Sequence, residues 1–180
     1  QGSIQTRVAE TASGSGNSEV FNDSEGVLFA DIAALANDGT NRMISLSDGS
    51  SNNRILIKYD NITNRLEFFV FSGGVGEYSF ITTSLITTSN SKIVFKYKQN
   101  DFAIWGNGFE LDTNTSGNTP IGLSELAFDD GSGSNNFYGK TKELAYYNTA
   151  LTDLELETLT SYRSWLSMVN ELNLNVIYNG

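Results

Sequence analysis

Carboxylates and aromatic rings are the groups with which this sequence can do chemistry, because its 180 residues include no histidine and no cysteine. Ser-His-Asp and Cys-His catalysis, zinc and haem sites of the usual ligands, disulfides and iron-sulfur clusters are therefore excluded. Asp153, Glu155 and Glu157 supply enough carboxylates for a glycosidase-type acid/base site. They lie in a segment of helical spacing, however, where residues two apart point to different sides. Acidic residues in a first helical turn are explained by the helix dipole alone. The second chemistry is stacking, in which rings pack on the apolar faces of sugars while polar neighbours bond the hydroxyls. Trp105 with Lys96 and Glu110 has that composition, and Phe69 and Phe71 join it if their strand lies nearby.

Short runs punctuated by Gly, Asn, Asp and Ser must position these groups: 26–36, 41–47, 53–60, 64–71, 77–82, 91–98, 101–106, 109–112, 121–128 and 136–147. With Pro120 the only proline, this pattern predicts an antiparallel sandwich or barrel. The Ala-rich run 26–36 fits a helix or a strand by period, and its neighbours favour a strand. Asn107-Gly108 is a strong two-residue hairpin signal, and Gln99-Asn100 or Asn100-Asp101 turns the preceding pair. Alternation then places Phe95, Tyr97, Phe102, Ile104, Phe109 and Leu111 on a core face, and Lys96, Lys98, Ala103, Trp105, Glu110 and Asp112 on the opposite one. In 64–71, Leu66, Phe68 and Val70 face one way and Glu67, Phe69 and Phe71 the other, with the inward side left open. Thr152-x-x-Glu155 is a capping box that opens a short helix, and Tyr162, Trp165, Leu166, Val169 and Leu172 continue at helical spacing.

Charge narrows the partners. Asp and Glu number 21 against 11 Lys and Arg, a formal net charge of -10, which repels phosphate backbones and anionic lipid. Nucleic acid and membrane insertion are not expected, since no apolar run approaches the roughly 18 residues of a span. The Lys92, Lys96 and Lys98 run reads as a guarded strand edge. Gln1-Gly2-Ser3 reads as the stub of an expression tag, and residues 1–19 as a linker-like lead-in ahead of a sandwich over 20–160 and a helix and tail over 161–180.

Asn107-Gly108, Phe137-Tyr138-Gly139, Leu144 to Asn148 and Leu151-Thr152-Asp153-Leu154-Glu155 together resemble the laminin-G-like, concanavalin-A-like jelly-roll domains, above all those of bacteriophage virion and tail-fibre proteins, including marine ones. The resemblance covers roughly 26–160 and implies a mainly β fold, a two-sheet antiparallel β-sandwich with a short helix and a C-terminal helix. It also implies a non-catalytic, extracellular or virion-borne module that binds surface glycans, a lectin-like adhesion domain acting through avidity. A module attached to a polysaccharide-degrading enzyme, or a decoration domain that packs against other virion proteins, remains the alternative.

Some such domains bind calcium through acidic loops at the rim of the sandwich, and Asp48 in LSDGSSNN with Asp129 and Asp130 in FDDGSGSNN are the corresponding hard oxygen ligands. Turn formation alone also accounts for those residue types. Hydrolases of related fold carry Glu-x-Asp-x-Glu or Glu-x-Asp-x-x-Glu on one strand; here Glu110-Leu111-Asp112 is followed by Thr113-Asn114-Thr115, so the second Glu is missing. Lyases of this fold use His with Tyr and are excluded with it. Two glycan sites compete: the Trp105 face, unless the terminal helix packs over it, and a rim formed by Asn52, Asn53, Arg54, Asn135 and Asn136. Residues 101–160 hold ten carboxylates against Lys140 and Lys142, which favours a neutral or cationic ligand, or an anionic glycan bridged by calcium.

Overall fold

The computed structural model describes residues 15–161. Among them, ten strands and one helix follow in order: β1 (Glu25–Ala34), β2 (Arg42–Ser47), β3 (Arg54–Tyr59), β4 (Leu66–Ser72), β5 (Val75–Thr82), β6 (Ser91–Lys98), β7 (Phe102–Gly106), β8 (Phe109–Asn114), β9 (Glu125–Ala127), β10 (Gly139–Tyr147) and α1 (Asp153–Thr160). They build two five-stranded antiparallel sheets, ordered β10-β1-β6-β7-β8 and β5-β4-β3-β2-β9. The expected two-sheet sandwich is thus the observed fold, and the ambiguous 26–36 segment is strand β1, central enough to be paired on both edges. The proposed terminal helix over 161–180 lies outside the described residues except for Ser161, as does most of the lead-in over 1–19.

Alternation decides what is inside. Leu28, Ala30 and Ile32 of β1, Phe95 and Tyr97 of β6, and Phe102 and Ile104 of β7 meet Ile44, Leu46, Ile55, Ile57, Leu66, Phe68 and Val70 of the facing sheet. The open question in 64–71 is settled: Leu66, Phe68 and Val70 are inward, and Phe69 and Phe71 lie on the outer face. The mid-plane is aromatic, with Phe68 edge-on to Phe95 at 5.8 Å and Tyr78 beside Phe102 at 5.7 Å. Asn22 closes one end, where Tyr97 donates to its carbonyl at 2.6 Å and its own N–H donates to Tyr146 at 2.8 Å.

The Asn107-Gly108 turn forms as expected, both residues at positive φ (51° and 88°), the pairing geometry of a two-residue hairpin. The faces beyond it need correction. Trp105 pairs with Glu110 but Ile104 pairs with Asp112, so Leu111 is the extra residue of a bulge. The bulge turns Asp112 from the Trp105 face to the inner side, where the Tyr78 hydroxyl donates to it at 2.7 Å. Burial and this bond push the Tyr78 phenol well above its usual range. Phe109, expected in the core, sits opposite Gly106 at the turn and is 72% exposed.

Candidate functional site

The structure separates the residues first considered for a platform. Trp105, Lys96 and Glu110 do share the outer face of the first sheet, through the Val94–Trp105, Lys96–Ala103 and Trp105–Glu110 pairs. Yet Trp105 is only 8% exposed, packed in a second cluster with Val27, Phe29, Val94, Ala103 and Leu156. Among the described residues, the element that covers it is α1, through Leu156. Its capping residue Glu155 accepts from the Thr152 N–H at 2.8 Å and the Thr152 hydroxyl at 2.7 Å, which hold its carboxyl below the usual glutamate range. Lys96 is buried against the same sheet and reaches Asp101 at 2.6 Å. Glu110 stays exposed. As a ligand platform this face is therefore corrected: it is a minor core under a helix. The bulge likewise splits Glu110 and Asp112 between two faces.

Phe69 and Phe71 belong to the other sheet, on the opposite side of the sandwich. Their rings stand 6.0 Å apart at 30°, forming one slanted strip. The β3–β4 register places Arg54 opposite Phe71, Leu56 opposite Phe69 and Lys58 opposite Glu67. The Arg54 guanidinium lies over the Phe71 ring at 4.9 Å, and Lys58 Nζ is 6.0 Å from the Phe69 centroid. Cations above ring faces are attracted by the ring quadrupole. Beyond the rings is a depression of about 280 Å³ lined by Phe69, Phe71, Gly76, Glu77, Tyr78 and Ser79. A second bulge, between Val70 and Phe71, sets Gly76 opposite Phe71 and leaves that ring uncovered on its β5 side.

The two cations differ in availability. Lys58 contacts Asp60 at 2.7 Å and Glu67 at 2.6 Å, and Arg65 pairs with the same two carboxylates, so two positive and two negative charges cancel. Burial disfavours the Lys58 ammonium, but its carboxylate partners outweigh this and raise its pKa. Arg54 makes no salt bridge among the described residues. Burial draws its pKa below the usual arginine value, and the charge of Asp130 opposes that. Its Nη1 donates to the main-chain oxygen of Asp130. Its Nε is buried without a partner, and Nη2 has none among the described residues.

Both rim loops are built the same way. Asp48 Oδ1 accepts from Ser50 N at 2.9 Å and Ser50 Oγ at 2.7 Å, while its Oδ2 accepts from Asn53 Nδ2 at 2.8 Å. Asp130 repeats this with Ser132 N, Ser132 Oγ and Asn135 Nδ2 at 2.9, 2.8 and 2.9 Å. Burial works against ionisation of both aspartates, and these donors overcome it, lowering both pKa values. Asp129 accepts from Gly131 N at 2.7 Å. The candidate calcium ligands thus spend oxygens on their own loops, and the described residues contain no group of three acidic side chains arranged for a metal. Asn53 is a structural hub, its Oδ1 accepting from Gly73 N at 2.9 Å and Ile121 N at 3.4 Å. Asn135 likewise spends its amide on Asp130, and Asn136 bridges Met43. Of the rim residues, Asn52, Arg54 and Asn136 keep side-chain polar groups for other use, and Arg54 is the one that joins the aromatic strip.

No family model and no curated protein matches the sequence. Solved structures of similar shape do. The CBM40 of the Ruminococcus gnavus IT-sialidase, solved bound to α2,3-sialyllactose, superposes with a TM-score of 0.65 at 14% identity, covering 89% of this chain and all of that one. The leech intramolecular trans-sialidase superposes at 0.61 with 15% identity over 80% of this chain. The Streptococcus pneumoniae NanB sialidase gives 0.63 and 16% over 78%. The chain spans about a quarter of the length of the two sialidases (24% and 25%).

Proposed function

We propose that the chain is a carbohydrate-binding module whose glycan lies on the outer face of the β5-β4-β3-β2-β9 sheet, stacked across Phe71 and Phe69, with a carboxylate-bearing sugar at Arg54. The observation that carries this reading is a guanidinium without a salt bridge among the described residues, held over one of two neighbouring rings on an open face. Rings supply a surface for the C–H faces of a sugar, and a guanidinium matches a carboxylate with two parallel hydrogen bonds. That the CBM40 covered over its whole length was solved with a sialylated glycan supports the same ligand class. The net charge of -10 repels an anion at a distance, so recognition rests on contact at Arg54 and not on long-range attraction. A module of this kind works outside the cell as part of a larger glycan-acting or adhesive protein. The resemblance to phage tail-fibre domains supports the adhesive form, and the superposition on sialidase modules the enzyme-linked form.

Titration of the chain with α2,3-sialyllactose and with lactose tests this. Sialyllactose is expected to bind about tenfold or more tightly than lactose, the value of one charge-assisted bidentate contact. Equal affinity would remove the carboxylate from the reading, and silence across a glycan array would remove the function. Because the loop carboxylates already have donors, recognition is expected to need no calcium. A melting temperature that rises by several degrees in millimolar calcium, and falls back with chelator, would contradict that part.

A further inference from the structure

We infer that Asp130 is a positioning residue for Arg54: its carboxylate shapes the 129–136 loop so that the loop's own main-chain oxygen holds the guanidinium over Phe71. The inference rests on the glycan reading only for its consequence on affinity; the positioning itself is a property of the free protein. Arg54 stands at the first residue of β3, where the strand alone fixes the backbone but leaves a long side chain to choose among rotamers. Two contacts make the choice, the Phe71 ring at 4.9 Å and the Asp130 carbonyl.

That carbonyl is where it is because of the Asp130 side chain. Asp130 is 9% exposed, and its carboxylate accepts four bonds, the three already named and one from Ser134 N at 3.1 Å. Its own N–H donates to Ser134 O at 2.9 Å, closing the loop on itself. The loop is then pinned to β2, where Met43 N donates to Asn135 O at 3.0 Å and Gly131 lies so close that an added Cβ would be 2.9 Å from Ser47 Cβ. The twin loop around Asp48 shares three of those carboxylate bonds yet meets Gly73 and Ile121 through Asn53, so the shared chemistry sets loop shape and the placement sets what each loop holds.

Holding an arginine by a carbonyl has a consequence that holding it by a carboxylate would not. The Asp130 charge is absorbed by loop donors, so the guanidinium is fixed without an ion pair that an incoming anion must break. A free arginine side chain samples many rotamers and loses that freedom when it binds. Fixing it beforehand removes part of that cost from the binding step.

The test reads Arg54 directly, without ligand. In the 15N-labelled chain, the Arg54 Nε–H signal, assigned by its loss in Arg54→Lys, is expected to exchange with water about tenfold or more slowly in the wild type than in Asp130→Ala. Asp153→Ala, of equal charge change on α1 against the other sheet, should behave as wild type. Asp130→Asn retains an acceptor for Ser132 and Ser134 but loses the Asn135 contact, and should fall between; it decides the matter if Asp130→Ala does not fold. Sialyllactose affinity is expected to drop about three- to tenfold in Asp130→Ala and to show no further drop when that change is added to Arg54→Ala. Unchanged Arg54 exchange in a variant whose loop amides have shifted, or additive losses in the double variant, would overturn the positioning role. If the wild type binds no sialyllactose, the glycan reading fails, while the exchange measurement still decides the role of Asp130.

Discussion

Trp105→Ala is expected to lower the unfolding free energy by about 3–5 kcal/mol while leaving glycan affinity at Arg54 and Phe71 unchanged. The residue is packed between the first sheet and α1, and alanine there leaves a cavity lined by Val27, Phe29, Val94 and Leu156. Against a typical total of about 5–15 kcal/mol, such a loss is large. Trp105→Phe should cost well under half as much. The indole Nε1 has no hydrogen-bond partner among the described residues, so removing that N–H gives up volume but no bond. Urea unfolding curves of the two variants check this, read as a shift of midpoint at constant slope. Wild-type stability together with lost glycan binding in Trp105→Ala would return the ring to the role of ligand platform.

The fate of Trp105 shows which parts of the molecule are legible from sequence. Strand alternation and the Gln99-Asn100 turn specify the pairing of β6 with β7 and the inward set Phe95, Tyr97, Phe102 and Ile104, because each depends only on neighbours and on a local turn. The bulge at Leu111 is not local in that sense: it lets Asp112 meet Tyr78 across the open end of the sandwich, a contact between strands more than thirty positions apart. One such insertion reverses the side of every later residue, which is why Asp112 changed faces. Cover by α1 is also tertiary, since nothing in the spacing of Leu156 and Leu159 names the sheet they pack on.

The candidate site was legible in pieces. Arg54 stood in the rim set and Phe71 in the platform set, two sites that the structure merges. A signal was available: the polar run Asn61 to Asn64 between two alternating strands is a hairpin turn, and folding the chain there puts Arg54 across from Phe71 and Lys58 across from Glu67. Gly76 follows in the same way from the Gly73-Gly74 turn, but Glu77 and Ser79 could not be found so, because the bulge in β4–β5 shifts the register beyond Gly76. The carboxylate excess of 101–160 favoured a neutral or cationic ligand, or an anionic glycan bridged by calcium. The proposed site draws on residues 54–79 instead, where Arg54 supplies a cation outside any ion pair among the described residues.

Phe71→Ala is accordingly expected to weaken sialyllactose binding about 10- to 100-fold, more than Phe69→Ala, with a small change in melting temperature. The ordering follows from what each ring does. Phe69 offers a stacking face and lies 6.0 Å from Lys58, a cation already held by Asp60 and Glu67; Phe71 offers a face and also supports the Arg54 guanidinium at 4.9 Å. Losing Phe71 therefore removes sugar contact and frees the arginine at once, while the half-buried outer position leaves the core untouched. Gly76→Leu separates these two parts. An added Cβ at Gly76 would sit 3.8 Å from Phe71 Cε1, an ordinary contact, so a larger side chain fills the depression while Phe71 and Arg54 stay in place. That variant should lose binding with Arg54 Nε–H exchange unchanged, whereas Phe71→Ala should lose binding with exchange accelerated. Isothermal titration and side-chain exchange measured on the same three samples give both readings. Undiminished binding in Phe71→Ala and Gly76→Leu together would mean that the glycan does not lie on this face.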